Sequence, residues 1–192
     1  MSGVRVIAGS LKGRRLAVPP GEAVRPTGDR AREALFSILE HGEPKLCGSR
    51  FLDLFAGSGA VGIEAFSRGA REVLLVDNAR AALAVLRANL RKLPQAGALR
   101  VMPADATRLG RTRRPFEVAF LDPPYRSGLG LPALERLAAG GWLVAEARVI
   151  VELAAREAFT PPIGYALEEE RRYGAGRFLF LRYHGMNRTP GS

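Results

Sequence analysis

The fold of this chain is decided by the stretch Phe51-Leu52-Asp53-Leu54-Phe55-Ala56-Gly57-Ser58-Gly59-Ala60-Val61-Gly62. Residues 51–55 are mostly apolar, as in a strand buried inside a parallel sheet. A glycine-rich turn follows, and residues 60–66 have the composition of a helix that ends before Gly69. A strand, a glycine turn and a helix in this order are typical of a cofactor-binding loop in an α/β sheet.

Two carboxylates near the glycine turn narrow the choice of cofactor. The turn fits the pattern G-x-G-x-x-G, and Asp77 ends the next apolar run, as in dinucleotide-binding proteins. Asp53, however, lies inside the strand before the turn, where its charge would repel a pyrophosphate. A ligand with an amino group and a sulfonium is not repelled, so the pattern favours S-adenosylmethionine (SAM). A nicotinamide or flavin cofactor, or a turn that binds no ligand, are the alternatives.

The predicted cofactor contacts come from the glycine turn and from the ends of two further strands. Asp77 can accept hydrogen bonds from both ribose hydroxyls, although it could instead cap the helix over residues 79–92. Asp105 follows a short strand over residues 99–102 and could meet the adenine amino group or be a solvated turn residue. The predicted cofactor-binding residues are Asp53, Phe55, Gly57, Ser58, Gly59, Gly62, Asp77, Asn78, Asp105 and Ala106.

A second motif follows the predicted strand over residues 117–121. Two successive prolines cannot continue a sheet ladder, and they fix the backbone at the strand end. The Asp122 carboxylate and the Pro123 carbonyl are then aimed into the cleft, where both can accept hydrogen bonds from an exocyclic amine. When both amine hydrogens are held, the nitrogen lone pair, which the ring of the base otherwise delocalises, is exposed for reaction. Tyr125 can then stack on the base. The predicted catalytic residues are Asp122, Pro123, Pro124 and Tyr125.

The composition is that of one globular domain with a polyanionic partner. The chain has 192 residues, enough for one α/β domain and a small appendage, and 47% of them are hydrophobic. Its 29 lysine and arginine residues outnumber the 19 aspartate and glutamate residues, which gives a net charge of +10. Such an excess favours nucleic acid as the partner.

Several other classes of protein are not expected. The sequence has no run of about 18 apolar residues and no apolar signal region at its N-terminus, so we expect a cytoplasmic protein that contacts no membrane. Cys47 is the only cysteine, which excludes an internal disulfide. His41 and His184 are the only histidines and lie in no cluster with it, so we expect no metal site.

The N-terminal segment reads as a basic hairpin, with strands over residues 4–8 and 14–18. It is either a phosphate-contacting arm or a solvated hairpin that caps the main sheet. A helix over residues 31–40 follows, with Thr27 or Asp29 as its N-cap. The predicted nucleic-acid-binding residues are Arg5, Lys12, Arg14, Arg15, Arg25 and Arg30.

The C-terminal part supplies the remaining elements of the sheet. We predict a helix over residues 129–139, a short extension over 142–144 and a fifth strand over 148–153. A closing hairpin over residues 165–173 and 177–183 gives the order of a class I SAM-dependent methyltransferase, a Rossmann-like α/β sheet whose last strand is antiparallel. The predicted organisation is an N-terminal β-hairpin extension over residues 1–24, the methyltransferase domain over residues 25–184 and a flexible tail over residues 185–192.

Four motifs occur in a fixed order: Arg5-Val6-Ile7-Ala8-Gly9 with Gly13-Arg14; Arg25-Pro26-Thr27 with Asp29-Arg30 and Arg32-Glu33; Asp53-Leu54-Phe55-Ala56-Gly57-Ser58-Gly59; and Asp122-Pro123-Pro124-Tyr125. Together they resemble the RsmD family of 16S ribosomal RNA guanine-N2 methyltransferases, from about Arg5 to Tyr183. The resemblance implies that SAM is the cofactor and that one guanine of the small-subunit RNA is methylated by direct transfer. It also implies an assembling ribosomal subunit as the substrate, and we expect a monomeric enzyme.

Other functions share some of these motifs. The glycine loop and Asp-Pro-Pro-Tyr also fit DNA adenine-N6 methylases and other amino-group methyltransferases. The N-terminal hairpin, the Arg-Pro-Thr segment and the absence of a target-recognition domain separate this chain from them. A dehydrogenase would bind a nicotinamide instead of SAM. An RNA-binding module without activity would have no use for Asp-Pro-Pro-Tyr.

Overall fold

The computed structural model describes residues 3–19, 28–94 and 96–186. A two-stranded sheet pairs β1 with β2, and a seven-stranded sheet contains the remaining strands. The strands are β1 Val4–Arg5, β2 Arg15–Leu16, β3 Arg50–Leu54, β4 Glu72–Asp77, β5 Leu99–Pro103, β6 Phe116–Leu121, β7 Leu143–Ala154, β8 Tyr165–Tyr173 and β9 Gly176–Tyr183. The helices are α1 Gly28–His41, α2 Ala60–Ser67, α3 Arg80–Leu90 and α4 Gly130–Ala139, with short 3-10 helices at Ala96–Ala98 and Ala106–Arg108.

The order of strands across the large sheet is β5-β4-β3-β6-β7-β9-β8. Strands β3 to β7 run parallel, whereas β9 runs antiparallel to both of its neighbours. The predicted methyltransferase sheet with an antiparallel last strand is therefore confirmed. The chain moves outward in one direction from β3 to β5 and then returns to the other side of β3 with β6. Ligands of open α/β sheets bind at such a reversal, at the carboxyl ends of the strands.

Helices cover both faces of the sheet because the central strands are apolar on both sides. Phe51 of β3 packs in one core cluster with Leu35 of α1 and Ile63 of α2. Leu52 of β3 packs in the other cluster with Leu134 of α4. Every residue of β3 is buried, as expected for a strand at the centre of a parallel sheet. No helix in the described ranges is long and apolar enough to cross a membrane.

The N-terminal hairpin is shorter than predicted, because its only strand pairing joins Val4–Arg5 to Arg15–Leu16. The residues between these strands form a turn, in which the Val6 N–H donates to the Arg14 carbonyl at 3.0 Å, and they also bond to α2. Glu64 accepts hydrogen bonds from the backbone N–H groups of Ile7 at 2.7 Å and Ala8 at 3.0 Å. We call residues 3–19 the arm. Three of its buried side chains belong to the same core cluster as α1 and α2, and they are Val6, Leu11 and Leu16.

Strand β7 is one continuous strand, whereas the sequence predicts an extension and a separate strand. Phe116 and Val118 of β6 pair with Leu143 and Arg148 of β7, so two residue steps on β6 match five on β7. The surplus residues form a bulge in which Glu146 has a left-handed backbone with φ 62°. This bulge carries the charged Glu146 between two alanines, and the sequence therefore shows a break in the apolar pattern there.

Helix α1 begins before the predicted N-cap Asp29. Asp29 lies in its first turn, and its carboxylate accepts a hydrogen bond from the Arg32 guanidinium at 3.0 Å. The prediction of Asp29 as the N-cap is therefore wrong. A carboxylate in the first turn still stabilises a helix through the helix dipole. The other predicted cap, Thr27, lies outside the described residues, as do residues 187–192 of the predicted tail.

Candidate active site

A loop at the carboxyl end of β3 occupies the reversal point of the sheet. We call residues 55–62 the glycine loop. Its first residue, Phe55, has a left-handed backbone with φ 60°, and Gly57 and Gly59 have φ values of 53° and 79°. A Cβ atom at Gly59 would lie 2.6 Å from Leu86 Cδ2, so the turn has no room for a side chain there. A bulky residue such as Phe55 at positive φ is a strained conformation of the kind found at ligand sites.

Three side chains from three different elements fix the glycine loop. Asp53 of β3 accepts a hydrogen bond from the Gly62 N–H at 2.8 Å. Asp77 of β4 accepts one from the Gly57 N–H at 2.9 Å. On the opposite side, the Asn89 amide of α3 donates to the Ser58 carbonyl at 2.9 Å. The loop is therefore held in one conformation by groups of the protein itself.

Asp53 supports the glycine loop from beneath, because its side chain is only 1% exposed. Burial raises the pKa of Asp53 to about 7, since the charged form loses its hydration. The hydrogen bond from Gly62 opposes this shift, and the nearby charge of Asp77 adds to it. The Asp53 carboxyl is therefore close to half-protonated at neutral pH.

The raised pKa of Asp53 gives the first testable prediction. Between about pH 4 and pH 7 the folded state keeps a proton on Asp53 that the unfolded chain releases, so the free energy of unfolding falls as pH rises. In Asp53→Asn this titration is absent. From pH 5 to pH 7, the free energy of unfolding of the wild type should fall by roughly 1.4 kcal/mol per pH unit relative to that of the variant. Urea unfolding of both proteins at several pH values measures the difference.

The matched control for this experiment is Asp105→Asn. Hydrogen bonds from Thr107 lower the pKa of Asp105, so this carboxyl is ionised in both the folded and unfolded states above pH 5. The stability difference between this variant and the wild type should therefore stay constant between pH 5 and pH 7. A constant difference for Asp53→Asn as well would show that Asp53 is ionised throughout this range.

Asp77 uses both carboxylate oxygens to hold backbone. Oδ1 accepts from the Ala79 N–H at 2.8 Å, and Oδ2 accepts from the Gly57 N–H at 2.9 Å. The first of these contacts is the predicted link to the start of α3. Each carboxylate oxygen has a further lone pair for a ligand hydroxyl. The ribose contact of Asp77 stays a prediction, as does the contact of its exposed neighbour Asn78.

Asp105 lies at the carboxyl end of β5, two strands away from β3 in the sheet. Its Oδ1 accepts hydrogen bonds from the Thr107 backbone N–H and hydroxyl, both at 2.8 Å. These bonds cap the short 3-10 helix that begins at the buried residue Ala106. Its Oδ2 lies 3.7 Å from the Arg108 Nε. The geometry is that of a turn residue, and the adenine contact stays a prediction.

The Asp122-Pro123-Pro124-Tyr125 motif follows β6, which pairs in parallel with the strand that leads into the glycine loop. The Asp122 N–H donates to the carbonyl of Leu54, the last residue of β3, at 3.3 Å. Pro123 is buried, and the turn is closed by a hydrogen bond from the Ser127 N–H to the Pro124 carbonyl at 3.0 Å. The end of β6 is therefore tied directly to the strand that carries the glycine loop.

Tyr125 leans toward the ends of β7 and β9 and keeps 36% of its surface exposed. Its hydroxyl donates to Glu152 Oε1 at 3.4 Å. A Cβ atom at Gly176 would lie 3.0 Å from the Tyr125 hydroxyl, so the ring packs closely against the start of β9. The ring is thus supported by the sheet while remaining accessible to a planar ligand.

The arm presents a cluster of positive charge. Arg5 and Arg15 face each other across β1 and β2, an arrangement in which like charges destabilise a sheet. A cleft of about 350 Å³ separates the arm from α1, and its charged lining consists of Arg5, Lys12, Asp29, Arg30 and Glu33. Among the described residues, no ion pair is formed by the exposed side chains of Arg5, Lys12, Arg14, Arg15 and Arg30. The sixth predicted residue, Arg25, lies outside the described part of the chain.

Comparison with known proteins assigns the family. The family model described as conserved hypothetical protein 95 matches residues 4–182. The Escherichia coli K12 protein named ribosomal RNA small subunit methyltransferase D is 39% identical over 173 residues, which are 89% of this chain and 85% of that protein. The chain belongs to the RsmD family. A Haemophilus influenzae protein of the same name is 35% identical over 175 residues, 89% of each chain.

Solved structures agree with the RsmD assignment. The putative methyltransferase yhhF from Escherichia coli superposes with a TM-score of 0.82 at 36% identity and covers 96% of this chain and 99% of that one. A magnesium protoporphyrin IX methyltransferase from Synechocystis, solved with bound SAM, has a TM-score of 0.63 at 16% identity, covering 82% of this chain and 80% of that one, and shows the fold alone. This RsmD-family chain therefore has the methyltransferase fold.

Sequence reasoning missed the residues that attach the arm of this RsmD-family protein to its core. Glu64, Ser67 and Asn89 are buried polar residues on the inner faces of α2 and α3. Ser67 accepts a hydrogen bond from the Leu11 N–H at 2.9 Å, and Glu64 is also paired with Arg68 at 2.8 Å. A polar residue at a position where the helix pattern requires an apolar one is the signal that could have found them.

Proposed function

We propose that this chain is a SAM-dependent methyltransferase that modifies the exocyclic N2 of one guanine in 16S ribosomal RNA. The observation that carries the proposal is the hydrogen bond from Asp122 to Leu54. It brings the Asp-Pro-Pro-Tyr turn and the glycine loop into one crevice at the reversal point of the sheet. The names of the Escherichia coli and Haemophilus influenzae relatives support ribosomal RNA of the small subunit as the substrate.

The residues around the glycine loop suit SAM. The Asp77 carboxylate lies beside the loop and the buried Asp53 carboxyl lies beneath it, and each accepts a loop N–H that could otherwise bind a pyrophosphate, which favours a cationic ligand. The close backbone turn at Gly57 and Gly59 lets a ligand approach the loop. When bound, SAM supplies an electrophilic methyl group. The residues that would hold it are the loop backbone from Gly57 to Gly59, the Asp77 carboxylate and the region of Asp105 and Ala106.

The turn after β6 would hold the guanine amine. The Asp122 carboxylate and the Pro123 carbonyl are hydrogen-bond acceptors, and an exocyclic amine offers two N–H donors to match them. The two prolines fix the direction of both acceptors, so little reorganisation is needed when the amine arrives. Tyr125 would stack on the base, which must first leave its own stack at a cost of a few kcal/mol.

The arm would contact the RNA backbone near the target base. In the described ranges its exposed basic side chains form no ion pair with a carboxylate, so their positive charge is available to phosphates. We expect Arg14→Ala/Arg15→Ala to weaken RNA binding and to reduce the slope of log affinity against log salt by roughly one unit for each lost contact. SAM affinity should not change. Filter binding at several salt concentrations and calorimetry with SAM measure the two quantities.

A matched control removes two arginines from the segment that leads into the amino end of β6. Arg111 and Arg113 are exposed and precede Arg114, which pairs with Glu72 at the amino end of β4 at 2.9 Å. Arg111→Ala/Arg113→Ala lowers the net charge equally but should leave the salt slope unchanged. Equal slopes for the arm variant and the wild type would make the arm a structural element only.

The proposal is tested by the position and chemistry of the methyl group. Mass mapping of small-subunit RNA from a strain that lacks this gene should show one unmethylated guanine, and the purified protein with SAM should restore it. Naked RNA and assembling small-subunit particles are tested side by side, and we expect the particles to be the better substrate. Transfer to adenine N6 of DNA, with no transfer to RNA, would refute the proposal.

A further inference from the structure

Asn89 is a buried polar residue that the proposed chemistry does not use. It lies on α3 with only 1% of its surface exposed, on the same inner face as Ala82, Leu83 and Leu86. Burying an amide among apolar side chains is unfavourable unless its hydrogen bonds are satisfied. The partners of Asn89 therefore show what this position requires.

The Asn89 side chain holds two backbone segments at once. Its Oδ1 accepts a hydrogen bond from the Ala17 N–H at 2.9 Å, and its Nδ2 donates to the Ala17 carbonyl at 3.0 Å. The second hydrogen of Nδ2 is donated to the Ser58 carbonyl at 2.9 Å. One acceptor and two donors are needed at these places, and an amide in this orientation supplies all three.

The two segments belong to the two parts of the proposed site. Ser58 lies within the glycine loop, whereas Ala17 directly follows β2 in the arm, the strand that begins at Arg15. Asp53 and Asp77 also fix the loop, but they do so from the sheet, and among the described residues their side chains make no hydrogen bond to the arm. The Asn89 side chain therefore connects the arm to the glycine loop by bonding to both.

We propose that Asn89 is a positioning residue that sets the glycine loop for SAM and fixes the arm relative to that loop. The inference rests on the proposed function, in which SAM binds at the glycine loop and RNA binds on the arm. Without the amide, the Ser58 carbonyl loses its buried donor and the loop gains alternative conformations. The Ala17 backbone loses both of its partners, so the basic strand of the arm is released from α3.

The test is Asn89→Leu, which keeps a similar side-chain volume and removes all three hydrogen bonds. We expect the SAM dissociation constant of the RNA-free protein to rise about tenfold, which is the scale for a buried polar group left unpaired. RNA affinity should fall as well. At saturating SAM and RNA, the methyl-transfer rate should stay within about threefold of the wild type, because Asn89 touches neither reacting group. A purely structural residue would change the melting temperature without raising the KM for SAM.

Ser67→Ala is the matched control. Ser67 holds the same arm from α2, through Leu11 and Ala8, but it makes no contact with the glycine loop. This variant should weaken RNA binding and leave SAM affinity unchanged. An equal loss of SAM affinity in Ser67→Ala would overturn the inference, because the effect would then follow from any loosening of the arm.

The outcomes for the inference and for the proposed function are distinct. If the wild type binds no SAM, the proposed function fails. If the wild type binds SAM and folded Asn89→Leu binds it equally well, the positioning role fails and the proposed function stands. Asn89→Ser provides a second variant, which keeps a polar side chain that is too short for all three hydrogen bonds, and it should show the same rise in the SAM dissociation constant.

Discussion

Replacing Asp122 with alanine is expected to slow methyl transfer by about 100-fold or more, with little change in SAM affinity. This is the usual effect of removing a preorganised polar group that acts in the transition state. The backbone N–H of residue 122, which bonds to Leu54, is retained in the variant, so the end of β6 should stay in place. Single-turnover assays with radiolabelled SAM and small-subunit particles measure the rate, and calorimetry measures SAM binding.

Two variants test the assigned chemistry around Asp122. Asp122→Asn keeps one acceptor oxygen and should retain more activity than Asp122→Ala. At the neighbouring position, Tyr125→Phe keeps the ring and loses only the hydroxyl that contacts Glu152, so it should be milder than Tyr125→Ala. A near wild-type rate for Asp122→Ala would remove the amine-orienting role. A Tyr125→Phe variant as inactive as Tyr125→Ala would remove the stacking role.

The second large effect is expected at Asp77. Asp77→Ala removes the acceptors for the Gly57 and Ala79 N–H groups and also the proposed partner of the ribose. Losing hydrogen bonds of this kind costs about 1–3 kcal/mol, so SAM affinity should fall by roughly 5- to 150-fold. Titration calorimetry measures the loss, and NAD should give no measurable binding to either protein.

Controls separate the loop contact of Asp77 from its ligand contact. Asp77→Asn keeps one oxygen and can hold only one of the two N–H groups, so it should lie between the wild type and Asp77→Ala. Asp105→Ala, at the end of β5, removes a carboxylate that bonds to Thr107 and not to the glycine loop. It should weaken SAM binding less than Asp77→Ala. Unchanged SAM affinity in Asp77→Ala would argue against this site.

The parts of the fold that sequence predicts are those encoded by neighbouring residues. The strand before the glycine loop is mostly apolar with Asp53 inside it, and the prolines after β6 stop a strand wherever they occur. Both motifs follow parallel strands, so their carboxyl ends meet at one edge and the crevice could be inferred. The antiparallel position of β9 followed from the closing hairpin in the same way.

The parts that sequence did not predict depend on contacts between distant residues. The Glu64 carboxylate bonds to Ile7 and Ala8, far away in the chain, and no local pattern encodes such a pairing. For the same reason the sequence predicts longer hairpin strands, over residues 4–8 and 14–18, whereas Ile7, Ala8 and Leu11 bond to α2. In β7 the bulge around Glu146 interrupts the pattern of alternation, and only the pairing with β6 shows that the strand continues.

The place of β9 in the sheet has a consequence for how the protein is made. This strand, Gly176–Tyr183, lies between β7 and β8 and pairs with both. A ribosome releases these residues after every other strand of the sheet, so β8 has no neighbour and β7 keeps an open edge until synthesis reaches them. Such edges recruit other chains. The sheet therefore closes in a late step, and a nascent chain stalled before residue 176 would be prone to aggregation.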